Sequence, residues 1–285
     1  MDTPDSDAVY RGDLSRLEHK IREARGLDLH QYRRAYVERR LAARMRVLNL
    51  HTYRQYERFL DEHAEEYMKL LDTLTINVTD FFRDATVYDI LRKEVIPDLI
   101  KAKLATRQRS IRVWSAGCAT GEEAYSLTMA FLSALGSRAD EFLLTVFGTD
   151  IDPKALQVAR AATYDVAKLP HIPTGEQGAF IEKGAHTFLI RPEVTRHVKF
   201  RPLNLFEDEP INVVDVILCR NVFIYFTREQ QAKILERFLS ALHRGGYLVL
   251  GRSEKMAPAV AGRFELVSGR ERVYRKPYNG ATRRD

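Results

Sequence analysis

The stretch from Ile111 to Tyr125 constrains the fold of this chain more than any other. Ile111-Arg112-Val113-Trp114-Ser115 reads as a short strand and Ala116 to Glu123 as the turn after it. Ala124, Leu127, Ala130, Phe131 and Leu135 then recur at helical spacing. A strand, a glycine-bearing turn and a helix in that order open a parallel α/β sheet, in which ligands bind beyond the carboxyl ends of the strands. Gly117 and Gly121 let the backbone approach a ligand closely. Their G-x-x-x-G spacing does not match the dinucleotide fingerprint, and no lysine follows as a phosphate loop requires, so phosphate is not the favoured ligand. Glu122 and Glu123 stand at the helix start, where the positive end of the dipole favours carboxylates. Such a mouth suits a ligand with an ammonium group or ribose hydroxyls, and S-adenosylmethionine carries both.

The strand-helix rhythm continues downstream. Residues 142–147 read as a buried strand ended by Gly148-Thr149-Asp150, and Pro153 suits the first position of a helix over 154–161. Asp150 ends the second strand, where an acidic residue binds both ribose hydroxyls in dinucleotide folds; Asp152 reads as a helix cap. From Thr163 to Arg196 the rhythm stops, punctuated by Pro170, Pro173, Gly175, Gly178 and Gly184, which marks an insertion. Residues 187–190 read as a strand within it and 198–200 as one rejoining the main sheet. The near-continuous apolar run Val213 to Leu218 has the character of a central parallel strand, and it delivers Cys219 to Phe226 to the same edge as the glycine turn. Arg220, Asn221 and Tyr225 are the polar residues there. A helix over 228–242, a turn at Gly245-Gly246, a strand over 247–250 and a closing hairpin complete the pattern.

No strand signal precedes Ile111. Residues 1–10 are polar, contain Pro4 and read as a frayed tail, and the following pattern is helical to about Leu74. A small all-helical domain over 1–76 is expected. Within it Val37, Leu41, Met45 and Leu48 share one helix face, and Arg33, Arg40 and Arg44 recur along its border. That basic stripe suits either a docking surface or a solvated face whose arginine stems cover apolar surface. Residues 75–84 form a polar break in which Thr79 or Asp80 suits a helix cap and Phe81 and Phe82 suit a core, while capping leaves Arg83 unexplained. A helix over 87–100 and a basic loop lead to the first strand, giving a linker over 77–110 and a main domain over 111–285 with its insertion at about 163–197.

With 45 Lys and Arg against 39 Asp and Glu, the chain carries a formal charge of +6, which implies acidic partners without naming their class. Its two cysteines, Cys118 and Cys219, the acidic amino terminus without a signal-peptide pattern, and the lack of a long apolar run predict a reduced, cytoplasmic protein. Scattered histidines and two isolated cysteines exclude a metal cluster, so no metal is expected.

Several marks recur in a fixed order: Asn77-x-Thr79-x-Phe81-Phe82-Arg83, the turn Trp114 to Glu123, Thr149-Asp150-Ile151-Asp152, Asn204-Leu205, Cys219-Arg220-Asn221-Val222-x-Ile224-Tyr225-Phe226 and Gly251-x-Ser253-Glu254. By these the sequence resembles the CheR-type chemotaxis receptor methyltransferases, S-adenosylmethionine-dependent protein-glutamate O-methyltransferases, from about Leu14 to Tyr274. The resemblance implies a helical amino-terminal domain, a doubly wound Rossmann-like methyltransferase sheet and a small antiparallel β-subdomain inserted into it. It also implies a cofactor pocket of Asn77, Thr79, Arg83, Glu123, Asp150, Asn204, Leu205, Arg220 and Asn221, with Arg83 and Tyr225 catalytic and S-adenosylhomocysteine as product. Glu123 would meet the cofactor's amino group, Asp150 the ribose, and Asn204 with Leu205 the adenine end. Arg33, Arg40 and Arg44 would face the glutamate-bearing helices of a methyl-accepting receptor. The loop Phe180 to Thr187 looks about three residues shorter than in members tethered to a receptor's carboxyl-terminal pentapeptide, so tethering is not expected. Two rivals share the cofactor: a nucleic-acid methyltransferase, which the missing Pro-Pro after Asn221 and the lack of a basic-aromatic groove disfavour, and a non-catalytic signalling adaptor, which Arg83 and Tyr225 disfavour.

Overall fold

The computed structural model describes residues 6–75 and 77–278. Four helices, α1 (Ser6–Arg25), α2 (Arg34–Val47), α3 (Tyr53–Glu62) and α4 (Glu66–Leu74), form one compact unit that also takes in Tyr225–Thr227. Residues Leu14, Leu17, Ile21, Val37, Leu41, Tyr56, Leu60 and Leu70 fill its core. A capping box starts α3: Thr52 Oγ1 accepts from the Gln55 N–H, and the Gln55 side chain accepts from the Thr52 N–H. The tail expected over residues 1–10 is helical from Ser6, because nothing between Ser6 and Arg11 breaks a helix anchored by Leu14 and Leu17; residues 1–5 lie outside the described residues.

Arg44 departs from the expected docking stripe. Its guanidinium forms a two-pronged pair with Glu66, the Nη2 to Oε2 prong being 2.6 Å, and Tyr56 Oη donates to the same carboxylate at 3.0 Å. Glu66 is 1% exposed, so a buried charge in the helical core is balanced by this arginine. Helical spacing put Arg44 in line with Arg33 and Arg40, but it carried no sign of a partner two helices away.

The second unit begins with α5 (Ala85–Ile90), a π-helical turn at Leu91–Val95 and α6 (Ile96–Ala105), where an unbroken helix was expected. Pro97, within the first turn of α6, has no N–H to give to the carbonyl four residues back, and the π turn absorbs the mismatch. Then follow β1 (Ser110–Ala116), α7 (Glu122–Leu135), β2 (Leu143–Asp150) and α8 (Pro153–Ala161). The insertion holds β3 (Thr163–Asp165), α9 (Thr174–Phe180), β4 (Ile181–Lys183), β5 (Thr187–Ile190) and α10 (Pro192–Thr195), with β3, β5 and β4 in a small antiparallel sheet. The chain returns through β6 (Val198–Pro202), β7 (Val214–Cys219), α11 (Arg228–Ala241), β8 (Leu242–Leu250), α12 (Pro258–Ala261), β9 (Glu265–Ser268) and β10 (Val273–Arg275).

The main sheet runs β6-β2-β1-β7-β8-β10-β9, with the first five strands parallel and β10 antiparallel to both its neighbours. The chain winds outward from β1 through β2 to β6 and then returns to β7 on the other side of β1. That reversal opens a crevice at the carboxyl end of β1 and β7, the place where such sheets bind ligands. Every residue of β7 is buried, including Asp215, whose carboxylate pairs with Lys103 at 2.7 Å and accepts the Arg112 N–H at 2.9 Å. Trp114 ties β1 to β2 through a 2.8 Å bond from its Nε1 to Thr149 Oγ1. Helix α7 is buried nearly all round, since α6, α9 and α10 pack on it as well as the sheet. Strand β8 starts directly at Leu242, before the Gly245-Gly246 pair expected to precede it, and the left-handed Gly245 (φ 76°) sits inside an irregular pairing with β7.

Arg44→Ala leaves Glu66 buried without its counter-ion. Chemical unfolding should show a loss of about 3 kcal/mol, whereas an arginine serving only as a docking residue would cost almost nothing.

Candidate active site

The parallel register places Ser115 of β1 opposite Gly148 of β2 and Leu218 of β7, so three loops leave one edge side by side. The first is the glycine turn. Gly117 (φ 77°) and Gly121 (φ 94°) are both left-handed, and a Cβ at Gly117 would stand 2.5 Å from Val222 Cγ2, one at Gly121 2.8 Å from Ala159 Cβ. No other residue fits either position without moving a packed neighbour.

Asp150, at the end of β2, accepts the Ala119 N–H on Oδ2 at 2.8 Å and the Asp152 N–H on Oδ1 at 3.0 Å. The Ile151 N–H also faces this carboxylate, whose two oxygens retain acceptor capacity for a further donor. Burial holds the Asp150 carboxyl above its ordinary range, against the lowering effect of these N–H groups. Glu123, in the first turn of α7, accepts from Ser115 Oγ at 2.7 Å and from Arg220 Nη1 at 3.3 Å. Burial raises its carboxyl too, and Arg220 recovers only part of that. Its neighbour Glu122 is fully buried and neutralised by Lys168, with Thr120 Oγ1 donating at 2.7 Å. Of the two adjacent carboxylates, Glu122 is thus engaged by the inserted segment, and Glu123 is the one that shares the Arg220 cluster.

Arg220, the first residue after β7, gathers the third loop. Its Nη2 donates to the Arg83 carbonyl at 2.9 Å and pairs with the Asp84 carboxylate. Its buried Nε has no partner among the described residues. Phe82 (φ 48°) and Asp84 (φ 57°) flank Arg83 in left-handed conformations that cost about 1 kcal/mol or more each. Arg220 holds that strained segment from beneath. Arg83 itself turns back to donate from Nη1 to the Val78 carbonyl at 2.9 Å. Two buried carboxylates, close backbone approach at two glycines and a buried N–H donor without a partner among the described residues thus line one edge of the sheet.

A family model described as CheR methyltransferase, SAM binding domain, matches residues 77–273, and one described as CheR methyltransferase, all-alpha domain, matches residues 12–75. The chain belongs to the CheR methyltransferase family. A chemotaxis protein methyltransferase of Listeria innocua is 34% identical over 232 residues, covering 81% of this chain and 85% of that protein. The chemotaxis protein methyltransferase of Escherichia coli K12 is 33% identical over 260 residues, covering 88% of this chain and 86% of that one. An uncharacterized 104.1 kDa protein of Rhodobacter capsulatus is 34% identical over 250 residues, but the chain spans only 26% of its length. The carboxylate-lined crevice of this CheR chain therefore lies within an S-adenosylmethionine-binding domain.

The other expected pocket residues of the CheR chain are distributed as follows. Asn77 donates to Asp152, which also caps α8 by accepting the Lys154 N–H at 2.8 Å, and the Thr79 carbonyl accepts from Lys168 at 3.5 Å. These bonds draw the linker onto the βα loops. The Leu203 N–H donates to the Asp150 carbonyl at 3.0 Å, so Asn204 and Leu205 follow at the end of β2, and Asn204 Oδ1 accepts the Phe206 N–H at 2.9 Å in a local turn. Asn221 is left-handed (φ 62°). Tyr225 belongs to the helical unit, where its carbonyl accepts the Arg33 N–H at 2.8 Å and its ring centre lies 4.9 Å from that of Tyr36. Arg40 lies over the Tyr36 ring at 5.5 Å.

Neither Thr79 nor Asp80 caps the next helix. Helix α5 starts only at Ala85, past the left-handed Asp84, and Asp80 instead accepts the Phe81 N–H at 2.9 Å and pairs with His171. Phe81 and Phe82 are core, as expected. Cys118 and Cys219 are buried free thiols pushed above their ordinary range by burial. Asp84, Ser115 and Lys168 escaped the sequence reading: Asp84 adjoins Arg83, but Lys168 lies in the irregular insertion and no local pattern marks it.

Because burial raises Glu123 and Asp150, each takes up a proton at a higher pH than a free carboxyl. A protonated carboxyl holds an ammonium poorly. Affinity for S-adenosylhomocysteine should therefore be full above both folded pKa values and fall as pH drops through them, starting above the ordinary carboxyl range near pH 4. The sign is opposite for the apo fold, which is spared the burial of two ionised carboxylates below the unfolded pKa and bears it in full above the folded one. Calorimetric titration across this range checks the first part, with Asp150→Asn weakening binding about tenfold by loss of one charged hydrogen bond.

Proposed function

We propose that the chain transfers the methyl group of S-adenosylmethionine to glutamate side-chain carboxylates on the cytoplasmic helical region of chemotaxis receptors. The observation that carries this reading is the joining, in one chain, of the carboxylate-lined S-adenosylmethionine crevice to an all-helical domain that presents arginines on α2. Relatives named chemotaxis protein methyltransferase over most of their length support the same substrate class.

Bound S-adenosylmethionine supplies an electrophilic methyl group on a sulfonium. Glu123 holds the amino end and Asp150 the ribose; Asn77, Thr79, Asn204, Leu205 and Asn221 complete the pocket. A glutamate nucleophile with a pKa near 4.3 is already ionised at neutral pH, so none of these residues needs to act as a general base. Placement and exclusion of water do the catalytic work, because opposite charges vanish along the reaction. Arg83 orients the acceptor carboxylate without a tight two-pronged pair, which would favour the ground state over the transition state. By resemblance to the family's motif, Tyr225 is the residue proposed to act near the transferred methyl group.

Arg33 is exposed and Arg40 half-buried over an aromatic ring, and both are proposed to meet the acidic face of the substrate helices. Arg44 is left out, since Glu66 engages it. The connection from β4 to β5 spans only Gly184 to His186, with the Gly184 N–H bonded to the Thr187 carbonyl at 2.8 Å. This short turn supports binding of receptors without a pentapeptide tether.

Incubation with tritiated-methyl S-adenosylmethionine and receptor cytoplasmic fragments should give base-labile label that disappears when the fragment's glutamates become alanine. Label on RNA, or tight cofactor binding with no transfer, would overturn the reading. Charge reversal at Arg33 and Arg40 should raise the fragment's KM about tenfold, as two surface ion contacts of roughly 0.5–1 kcal/mol are lost, and leave S-adenosylhomocysteine affinity within about twofold.

A further inference from the structure

Gly251-x-Ser253-Glu254 is the one sequence mark to which neither the pocket nor the mechanism assigns a task. Glu254 is 3% exposed, yet no cation is paired with it among the described residues. Its partners are backbone N–H groups: Phe223 N donates to Oε1 at 2.7 Å and Gly251 N to Oε2 at 2.6 Å, and the N–H groups of Asn221 and Val222 also face the carboxylate. Glu254 N closes the turn by donating to the Gly251 carbonyl at 2.9 Å. These donors belong to two different loops, one leaving β7 after Cys219 and one leaving β8 after Leu250, which are register partners in the sheet.

Gly251 permits the arrangement. A Cβ there would stand 2.7 Å from Glu254 Oε2 and 2.9 Å from Asn221 N, so only glycine lets the carboxylate reach the neighbouring loop. The held loop is strained, because Asn221 is left-handed without being glycine. Its next residue, Val222, is the one whose side chain closes on Gly117 in the cofactor turn.

We propose that Glu254 is a positioning residue for the cofactor site, its buried carboxylate fixing Asn221 and Val222 and through them one wall of the glycine turn. A carboxylate suits this task because it is acceptor-only on both oxygens, whereas an amide presents a donor to one of the two loops. The inference rests on the cofactor half of the proposed function and not on the methyl acceptor.

Glu254→Gln tests it with the side-chain volume unchanged. Hydrogen exchange should speed up about tenfold or more at Asn221–Phe223 and Gly251 while the interiors of β7 and β8 stay protected, and the Kd for S-adenosylhomocysteine should rise about tenfold. Unchanged exchange in the two loops, or a general loss of protection with affinity intact in the folded fraction, would overturn the proposal, the second result marking a merely structural residue. Should the glutamine variant fail to fold, Glu254→Asp decides, since it keeps the charge but shortens the reach; the proposal expects the same local loosening in smaller degree, and wild-type exchange and affinity would sink it. The exchange readout needs neither cofactor nor acceptor, so failure of methyl transfer to receptor fragments stays distinguishable from failure of this inference.

Discussion

A buried guanidinium organises this site. Arg220 leaves β7 at the sheet edge with its side chain almost wholly out of water, and a charge so placed is tolerated only when it is paired and hydrogen-bonded. Its partners come from separate parts of the sequence: Glu123 from the helix after β1, and Asp84 and the Arg83 carbonyl from the linker. Removing both Glu123 and Asp84 would leave Arg220 an uncompensated buried charge. The need to neutralise Arg220 therefore fixes where the linker lies and holds two left-handed residues beside Arg83 that would otherwise relax.

The sheet makes such a cluster available. Parallel strands bring the ends of β1, β2 and β7 to one edge, and the reversal of winding between β1 and β7 keeps that edge open. Close packing then shapes it. Gly148 lies under Phe200, Gly117 under Val222 and Gly121 against Ala159, so the loops sit nearer to one another than side chains would allow. Carboxylates in this confined space titrate above their usual range because desolvation exceeds the help from local donors, the sign seen for Glu123, Asp150 and Glu254 alike.

The parallel sheet, the helical amino-terminal unit and the insertion were legible because each leaves a local trace: apolar runs for buried strands, helical spacing for α2 and α7, and prolines and glycines where the rhythm stops. Asp152 was legible as a cap for the same reason, since a cap is an interaction of near neighbours. Long-range pairs leave no such trace. Glu66 for Arg44, Lys168 for Glu122 and Asp84 for Arg220 are chosen by tertiary geometry, and nothing in the spacing of either partner announces the other. The π turn before α6 lies between these cases: Pro97 is a local feature that the reading of one helix over 87–100 passed over, and the turn it accompanies packs against α7.

The same distinction decides what the chain's excess of positive charge can mean. A net charge of +6 invites a reading in terms of acidic partners, yet many arginines are engaged within the fold. Arg44 balances Glu66, Arg220 balances Glu123 and Asp84, Arg252 grips Glu271, and Arg92 pairs with Glu176 while lying over Phe82. Charges neutralised internally neither steer nor dock a partner at any distance, because their field is cancelled within a few ångströms. What α2 and its N-cap present outward is smaller than their count of arginines: Arg34 and Arg44 pair with Glu38 and Glu66, while Arg33, Arg39, Arg40 and Arg46 have no carboxylate partner among the described residues. The arginines open to an acidic partner are those the fold leaves unneutralised, and only the folded chain shows which those are.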